Sequence, residues 1–177
     1  MTQPWVMGPI GRALSSATMS DLSCDKSLGQ LGERSPEGGL ALEHALHAVI
    51  ADLGAETGTI HLLDAEGVLV LRAAQGIPAA VLAIVARVPV GKGMAGLSVE
   101  RNAAVSACNI QTDTSGEVRP GARATGMEGA IVVPIRAPDG RAIGALGVAN
   151  RSARTFSEDE IAKLLAAGEA IAAQRAS

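Results

Sequence analysis

The sequence predicts an α+β domain built on antiparallel sheet, and two observations carry that expectation. First, two pairs of β-type runs are each joined by a short Gly-containing turn, "TGTIHLLD" to "GVLVLRAA" and "GAIVVPIR" to "AIGALGVAN". Second, one helical apolar period precedes the first pair and another follows the second. Strands joined by turns this short pair antiparallel, so the flanking helices pack onto a sheet rather than cross between parallel strands.

Length and composition fit that class. A chain of 177 residues, 47% hydrophobic and 19% charged, is suited to one globular domain with a single core. The apolar total consists largely of 33 alanines and aliphatic residues, beside 21 glycines, and the only aromatics are Trp5 and Phe156. The core is therefore built from small and branched side chains.

The first 36 residues are rich in Gly, Ser and Pro and show no sustained period, which predicts a flexible N-terminal arm over 1–36 and a domain over 37–177. Trp5, Val6, Met7, Ile10 and Leu14 interrupt that polarity, which leaves two readings of the arm: an unstructured leader, or a segment that docks an apolar patch on the body or on a partner. From Pro36 the spacing of Leu42, Leu46, Val49 and Leu53, closed by Gly54, predicts an amphipathic helix with a glycine cap. The first hairpin turns at Asp64-Ala65-Glu66-Gly67. Pro78 sits where a first-turn proline belongs, and Val81, Leu82, Ile84 and Val85 predict a short helix ending before Pro89, with a strand there as the alternative. "AGLSVERN" reads as helix and "AAVSACN" as strand, and Asn109 to Glu128 reads as a long polar loop of the kind that is often functional. In the second hairpin Pro138-Asp139-Gly140 supplies the turn, and Pro134 marks an edge or a bulge. Ser157 and Glu160 form a capping box, with Phe156 placed to staple onto Ile161, and open a last helix through Leu164, Leu165, Gly168 and Ile171.

Gly91, Gly93 and Gly96 in "VPVGKGMAGLS" fall at the G-x-G-x-x-G spacing of a dinucleotide-binding loop. That chemistry needs the glycines between a buried parallel strand and a helix, so that the helix N-terminus meets the pyrophosphate. Here a helix precedes them and hairpins surround them. Asp113, the tempting ribose acid, lies in a loop. Lys92 is followed by Gly93 and not by Ser or Thr, so a P-loop fails too.

The ordered set "ETGTIHLLD", "AAQGIP", "VPVGKGMAGLSVERN", "EGAIVVPI", "GALGVAN" and "TFSEDE" resembles a GAF domain over roughly residues 37 to 175. The resemblance implies a central antiparallel sheet of five or six strands, the first and last helices on one face and a ligand pocket on the other. It gives the glycines a structural job: a tight turn, and a helix starting close to the sheet.

One GAF subfamily reduces free methionine-R-sulfoxide, which requires a thiolate and resolving thiols. That family's cysteines map onto Val85, Ala95 and Arg123, and its substrate-holding acids onto Ala130, Gly147 and Ala149. No thiol or acid stands at any of them, so the chain is not expected to be an enzyme of this kind. Cys108 reads as a small buried structural cysteine. His44 and His47 lack a third metal ligand in view, and His61, within an apolar run, reads as a half-buried, hydrogen-bonded histidine. G-x-S-x-G is absent. Asn150, Arg151, Phe156, Asp159 and Glu160 resemble a cyclic-nucleotide signature of the family, but the staple and capping box explain them locally. No aromatic residue between Glu37 and Thr155 is available to stack on a purine.

The expected pocket draws on Met94 and Ser98 from the helix and on Asp113, Glu117, Arg119, Arg123, Thr125, Met127 and Glu128 from the loop. Arginine there suits a small anionic or zwitterionic metabolite. On the other reading, Arg119 and Arg123 pair with Glu117 and Glu128 on a solvated loop. The residues name no cofactor. With a net charge of −3 and 12 Arg and three Lys scattered among acids, no nucleic-acid partner is expected. No apolar run approaches the roughly 20 residues of a membrane span. Cys24 and Cys108 form no C-x-x-C pair and "MTQPWVMGPIGR" lacks the pattern of a secretory signal, so a cytoplasmic location is expected.

The functional expectation is a non-enzymatic sensory or regulatory domain acting through a separate partner protein. The alternative is a ligand-free dimerisation module. In the resembled family the first and last helices often build a dimer interface, which here offers Leu42, Leu46, Val49, Leu53, Ile161, Leu164, Leu165 and Ile171 to a homodimer.

Overall fold

The computed structural model describes residues 36–176. The arm expected over 1–36 lies outside the described residues except for Pro36, which opens the first helix. In chain order the elements are α1 (Pro36–Leu53), β1 (Thr57–Leu63), β2 (Val68–Gln75), α2 (Ala79–Val85), β3 (Arg87–Pro89), α3 (Gly93–Arg101), β4 (Val105–Ala107), α4 (Pro120–Arg123), β5 (Gly129–Arg136), β6 (Ala142–Asn150) and α5 (Glu158–Ala176). Six strands form one sheet in the order β3-β2-β1-β6-β5-β4, antiparallel at every joint. The two hairpins meet through the β1–β6 ladder, which pairs Thr59 with Gly147 and His61 with Ala145.

Alternation along the strands makes two layers. Ile60, Leu62, Ile131, Val133, Leu146 and Val148 point to one face, where Leu42, Leu46, Ile50 and Leu53 of α1 and Leu164 and Ile171 of α5 bury against them. Each such side chain taken from water contributes about 1.5–3 kcal/mol. The buried stripe of α1 runs through Ile50, leaving Val49 partly buried beside it. Thus the apolar residues of α1 and α5 that could have formed a dimer interface are for the most part turned onto the sheet.

On the opposite face, α2, α3 and α4 stand over the strands with two smaller clusters, one around Met94, Ile110 and Met127 and one around Leu69, Val88 and Ala145. The polar segment Asn109 to Glu128 is thus interrupted by the single turn of α4, and β3 adds a short edge strand that no sequence period announced. Pro134 lies where β5 has run past the end of β4, whose pairing stops at Val132, and next to a bulge at Ile135/Arg136. One side of β5 is unpaired there, so a residue without an N–H is tolerated. Both halves of the expectation hold.

The three glycines are structural. Gly91 and Gly93 have φ of 77° and 63°, the left-handed region that L side chains avoid. A Cβ on Gly96 would lie 2.3 Å from the Pro89 carbonyl oxygen, so only glycine lets α3 approach β3 this closely. The Gly91 N–H donates to the Gly96 carbonyl at 3.0 Å and locks the turn.

The end of α1 and the start of α5 are held by one cluster. Asn150 Nδ2 donates to the Gly54 carbonyl at 2.8 Å, and Arg154 Nη1 donates to the Leu53 carbonyl at 3.3 Å. Arg154 also pairs with Glu160 and covers the Phe156 ring at 4.5 Å. The capping box forms as expected: the Ser157 N–H donates to Glu160 Oε2 at 2.8 Å and the Glu160 N–H to Ser157 Oγ at 3.3 Å. From this cluster α1 and α5 run side by side, with Lys163 Nζ 3.6 Å from Asp52 Oδ2. Asn150, Phe156 and Glu160 are therefore occupied in the frame of the fold. No helix among the described residues is long and apolar enough to cross a membrane.

Candidate functional site

Between the sheet and α2, α3 and α4 lies a cavity of ≈390 Å³, within the range of small-molecule sites. Its floor comes from alternate strand residues, Thr57, Thr59 and His61 of β1, Ala130 and Val132 of β5, and Gly147 and Ala149 of β6. The roof is Ile84 and Val85 of α2, Met94 and Ala95 of α3, and Gly121 and Ala122 of α4. The void follows from side-chain size: where a larger residue on β5 or β6 would reach the roof, this sheet presents Ala and Gly. Five of the positions that the resemblance assigns to reductase thiols or acids, Val85, Ala95, Ala130, Gly147 and Ala149, line the cavity. All five are apolar or lack a side chain.

Of the expected pocket residues, Met94, Arg119 and Thr125 line the cavity. Thr125 is tied within its own turn, donating to the Ala122 carbonyl at 2.6 Å. Arg119 is exposed and lies at the opening, its Cγ–Cδ stem crossing Gly93, and its guanidinium has no ion pair or hydrogen bond among the described residues.

The other expected residues are not brought to the cavity, each for a local reason. Ser98, on α3, is fully buried and donates to the Ala103 carbonyl at 2.9 Å. Asp113 folds back on Ser115, accepting from its Oγ at 2.6 Å. Arg123 turns away to donate to the carbonyls of Ile110 at 3.1 Å and Asp113 at 2.6 Å. Met127 packs into the cluster beneath the loop. Glu128 accepts from the Ala153 N–H at 2.9 Å, and Glu117 pairs with Arg101 at 2.6 Å. The alternative pairing of Arg119 and Arg123 with Glu117 and Glu128 does not form either.

His61 is the residue that sequence reasoning undervalued. It is 3% exposed and forms part of the cavity wall. Its Nε2 lies 2.8 Å from the Val85 carbonyl oxygen, whereas Nδ1 is buried without a partner. A carbonyl only accepts, so Nε2 carries the proton and Nδ1 the lone pair. Burial pushes the imidazole pKa down, the Val85 carbonyl opposing in part, and the ring is held neutral. The signal was available in the alternation of "TGTIHLL", which sets Thr57, Thr59 and His61 on the face opposite Ile60 and Leu62.

Cys108 corrects an expectation. It is exposed rather than buried, because Val105 and Ala107 take the inward positions and the alternation carries position 108 outward. Its side chain is outside the cavity wall. His44 and His47 are exposed on α1, and no three His, Cys, Asp or Glu side chains converge as a metal site among the described residues.

The fold is shared with solved structures. The GAF domain of a phosphoenolpyruvate-protein phosphotransferase from Coxiella burnetii superposes with a TM-score of 0.67 at 24% identity, covering 81% of this chain and 84% of that one. Type II free methionine-R-sulfoxide reductase from Thermoplasma acidophilum gives 0.66 at 19% identity, covering 78% and 92%. Free methionine-R-sulfoxide reductase from Neisseria meningitidis gives 0.62 at 23%, covering 79% and 81%. At these identities the likeness is one of fold. No curated protein matches the chain. The model of the GAF domain matches residues 41–173, most of the chain, and with the six-stranded antiparallel sheet and its helices it shows that this protein belongs to the GAF domain family.

Proposed function

We infer that this GAF domain is a non-enzymatic sensor that binds a small organic anion in the cavity between the sheet and α2, α3 and α4, and passes the signal to a separate partner protein. The observation that carries the reading is a largely apolar cavity, open to solvent on one side, with the unpaired guanidinium of Arg119 beside it. An aliphatic wall takes up the body of a ligand through the hydrophobic effect. The unpaired arginine offers bidentate hydrogen bonds to a carboxylate or phosphate. The non-catalytic part is supported by the cavity's chemistry: Val85 and Ala95 stand where the related reductases are expected to carry thiols, and Cys108 is elsewhere.

The test is a thermal-shift panel of small carboxylates, phosphates, amino acids, methionine sulfoxide and cyclic nucleotides. A ligand at 100 times its Kd adds about 2.7 kcal/mol of stability. Carboxylates with an aliphatic body are expected to raise the Tm, and Arg119→Ala to weaken their binding by about tenfold while leaving the unliganded Tm in place. No shift with any compound overturns the sensing reading. Turnover of methionine sulfoxide by the purified protein overturns the non-catalytic one.

A further inference from the structure

Three strands meet at one point of the cavity floor. Thr59 of β1 stands opposite Gly147 of β6, which stands opposite Val132 of β5, and all three line the cavity. A Cβ on Gly147 would lie 3.4 Å from Thr59 Oγ1 and 3.2 Å from Val132 Cγ2. The glycine therefore leaves a slot the width of a methyl group, with a hydroxyl on one side and a methyl on the other. Leu146 and Val148 point to the opposite face of the sheet, so the alternation aims a Cβ at position 147, and the Thr59 hydroxyl beside it, at the cavity.

The exposure of Thr59 agrees. It is half-buried although its strand is central and paired on both edges, and its neighbour Ile60 is covered by α1 and α5 on the other face. The surface it keeps is cavity surface. Its hydroxyl has no hydrogen-bond partner among the described residues. The one side-chain polar atom among them that is both unpartnered and sealed by protein is His61 Nδ1, so the Thr59 hydroxyl is an open one. The other hydroxyls of the wall are Thr57, itself buried, and Thr125, spent on the Ala122 carbonyl.

An open hydroxyl in an aliphatic floor selects what sits on it. A charged group brought there would lose its water with no opposite charge in return, since the one titratable group of the floor among the described residues is the neutral His61 imidazole. A neutral oxygen instead accepts the Thr59 proton and recovers the hydrogen bond it gave up in water. We propose that Thr59 is the specificity determinant of the cavity and that the ligand is an aliphatic carboxylate interrupted by a neutral acceptor oxygen, which seats over Gly147 and accepts from the Thr59 hydroxyl. This rests on the reading of the cavity as the ligand site.

The probes are octanoate and its 4-oxo, 5-oxo, 6-oxo and 7-oxo derivatives, titrated into the full chain by calorimetry. Moving the ketone along the chain lets it meet Thr59 whatever the span from the opening to the floor. Thr59→Val keeps the shape of the side chain and removes the hydroxyl, whereas Thr59→Ser keeps the hydroxyl. At least one oxo acid is expected to bind Thr59→Val about three- to tenfold more weakly than wild-type protein, with octanoate unchanged and the loss restored in Thr59→Ser. Gly147→Ala fills the slot and is expected to weaken octanoate and the oxo acids alike by about fivefold or more. Equal losses for octanoate and the oxo acids in Thr59→Val, or no loss for any of them, overturn the role of Thr59 and, while octanoate still binds, leave the cavity reading standing. Binding of octanoate with every oxo acid excluded has the same consequence. Binding of none of the probes removes the cavity reading and this inference with it.

Discussion

Replacing Gly96 by alanine sets two effects against each other, and the structure decides between them. Alanine is the better helix former by about 1 kcal/mol, so position 96, inside α3, invites a stabilising substitution. The added Cβ, however, would stand 2.3 Å from the Pro89 carbonyl oxygen and 3.1 Å from the Gly91 nitrogen. Both neighbours are backbone and cannot rotate aside. To restore ordinary contact α3 and the turn after β3 must part by about 1 Å, an overpacking of the kind that costs about 1–3 kcal/mol. The same movement weakens the Gly91 to Gly96 hydrogen bond, 3.0 Å long, worth about 0.5–1.5 kcal/mol. The clash wins, with a net loss of about 2 kcal/mol, or about 4–8 °C in Tm for a chain of this size. Urea denaturation followed by circular dichroism measures it. Gly38→Ala is the control, since a Cβ there meets nothing within 4 Å in a helix, and it is expected to stabilise by up to about 1 kcal/mol. If Gly96→Ala proves neutral or stabilising, the argument that close approach dictates this glycine is wrong.

Other outcomes follow from single contacts. Ser157→Ala removes the hydroxyl that accepts from the Glu160 N–H and is expected to cost about 1 kcal/mol, read as a lower urea midpoint with an unchanged m-value. The His61 ring is held neutral by burial, below its ordinary value of 6.5. An unfolded chain takes up a proton there that the folded one refuses, so the stability this group confers is complete above pH 6.5 and is lost as pH falls below it. Urea midpoints should therefore drop between pH 7.5 and 5.5, and the drop should shrink in His61→Phe; parallel pH profiles would show that His61 is not the source. Asp64 and Glu160 have their carboxyl pKa values lowered, Asp64 chiefly by the Val68 backbone N–H and Glu160 by that of Ser157. Their contributions are lost only below roughly pH 4.5, outside that window.

Much of this fold was legible because its signals are local. Gly54 ends α1 with a left-handed φ, while the Asp64–Gly67 turn joins the first hairpin and the Ser157–Glu160 box opens α5 through contacts among residues close in sequence. β3 was legible only as an alternative to helix in the segment before Pro89, because three residues are too few to show a period and what makes them a strand is the edge of β2. The site was less legible than the frame. A loop carrying Asp113, Glu117, Arg119, Arg123 and Glu128 reads as a charged wall, but whether a charge faces a cavity or its own backbone depends on which carbonyls the loop leaves open. Arg123 finds two of them, and Asp113 finds Ser115. Only Arg119, without such a neighbour, remains at the opening. The small residues of β5 and β6 were visible as composition, but that Ala130, Gly147 and Ala149 leave one shared hollow depends on the register of the two strands.

The cluster around Asn150 and Arg154 also fixes where the chain arrives and departs. α1 runs into it and α5 runs out of it, so Pro36 and Ala176 stand at the same pole, each roughly 27 Å away along its helix. A unit whose two ends share a pole can be spliced into a surface loop of a host protein without prising that loop apart. Such a graft would load α1 and α5 at their far ends, and a pull on either junction would be taken up by the apolar face that holds both helices on the sheet before it reached Leu53, Gly54 and Arg154.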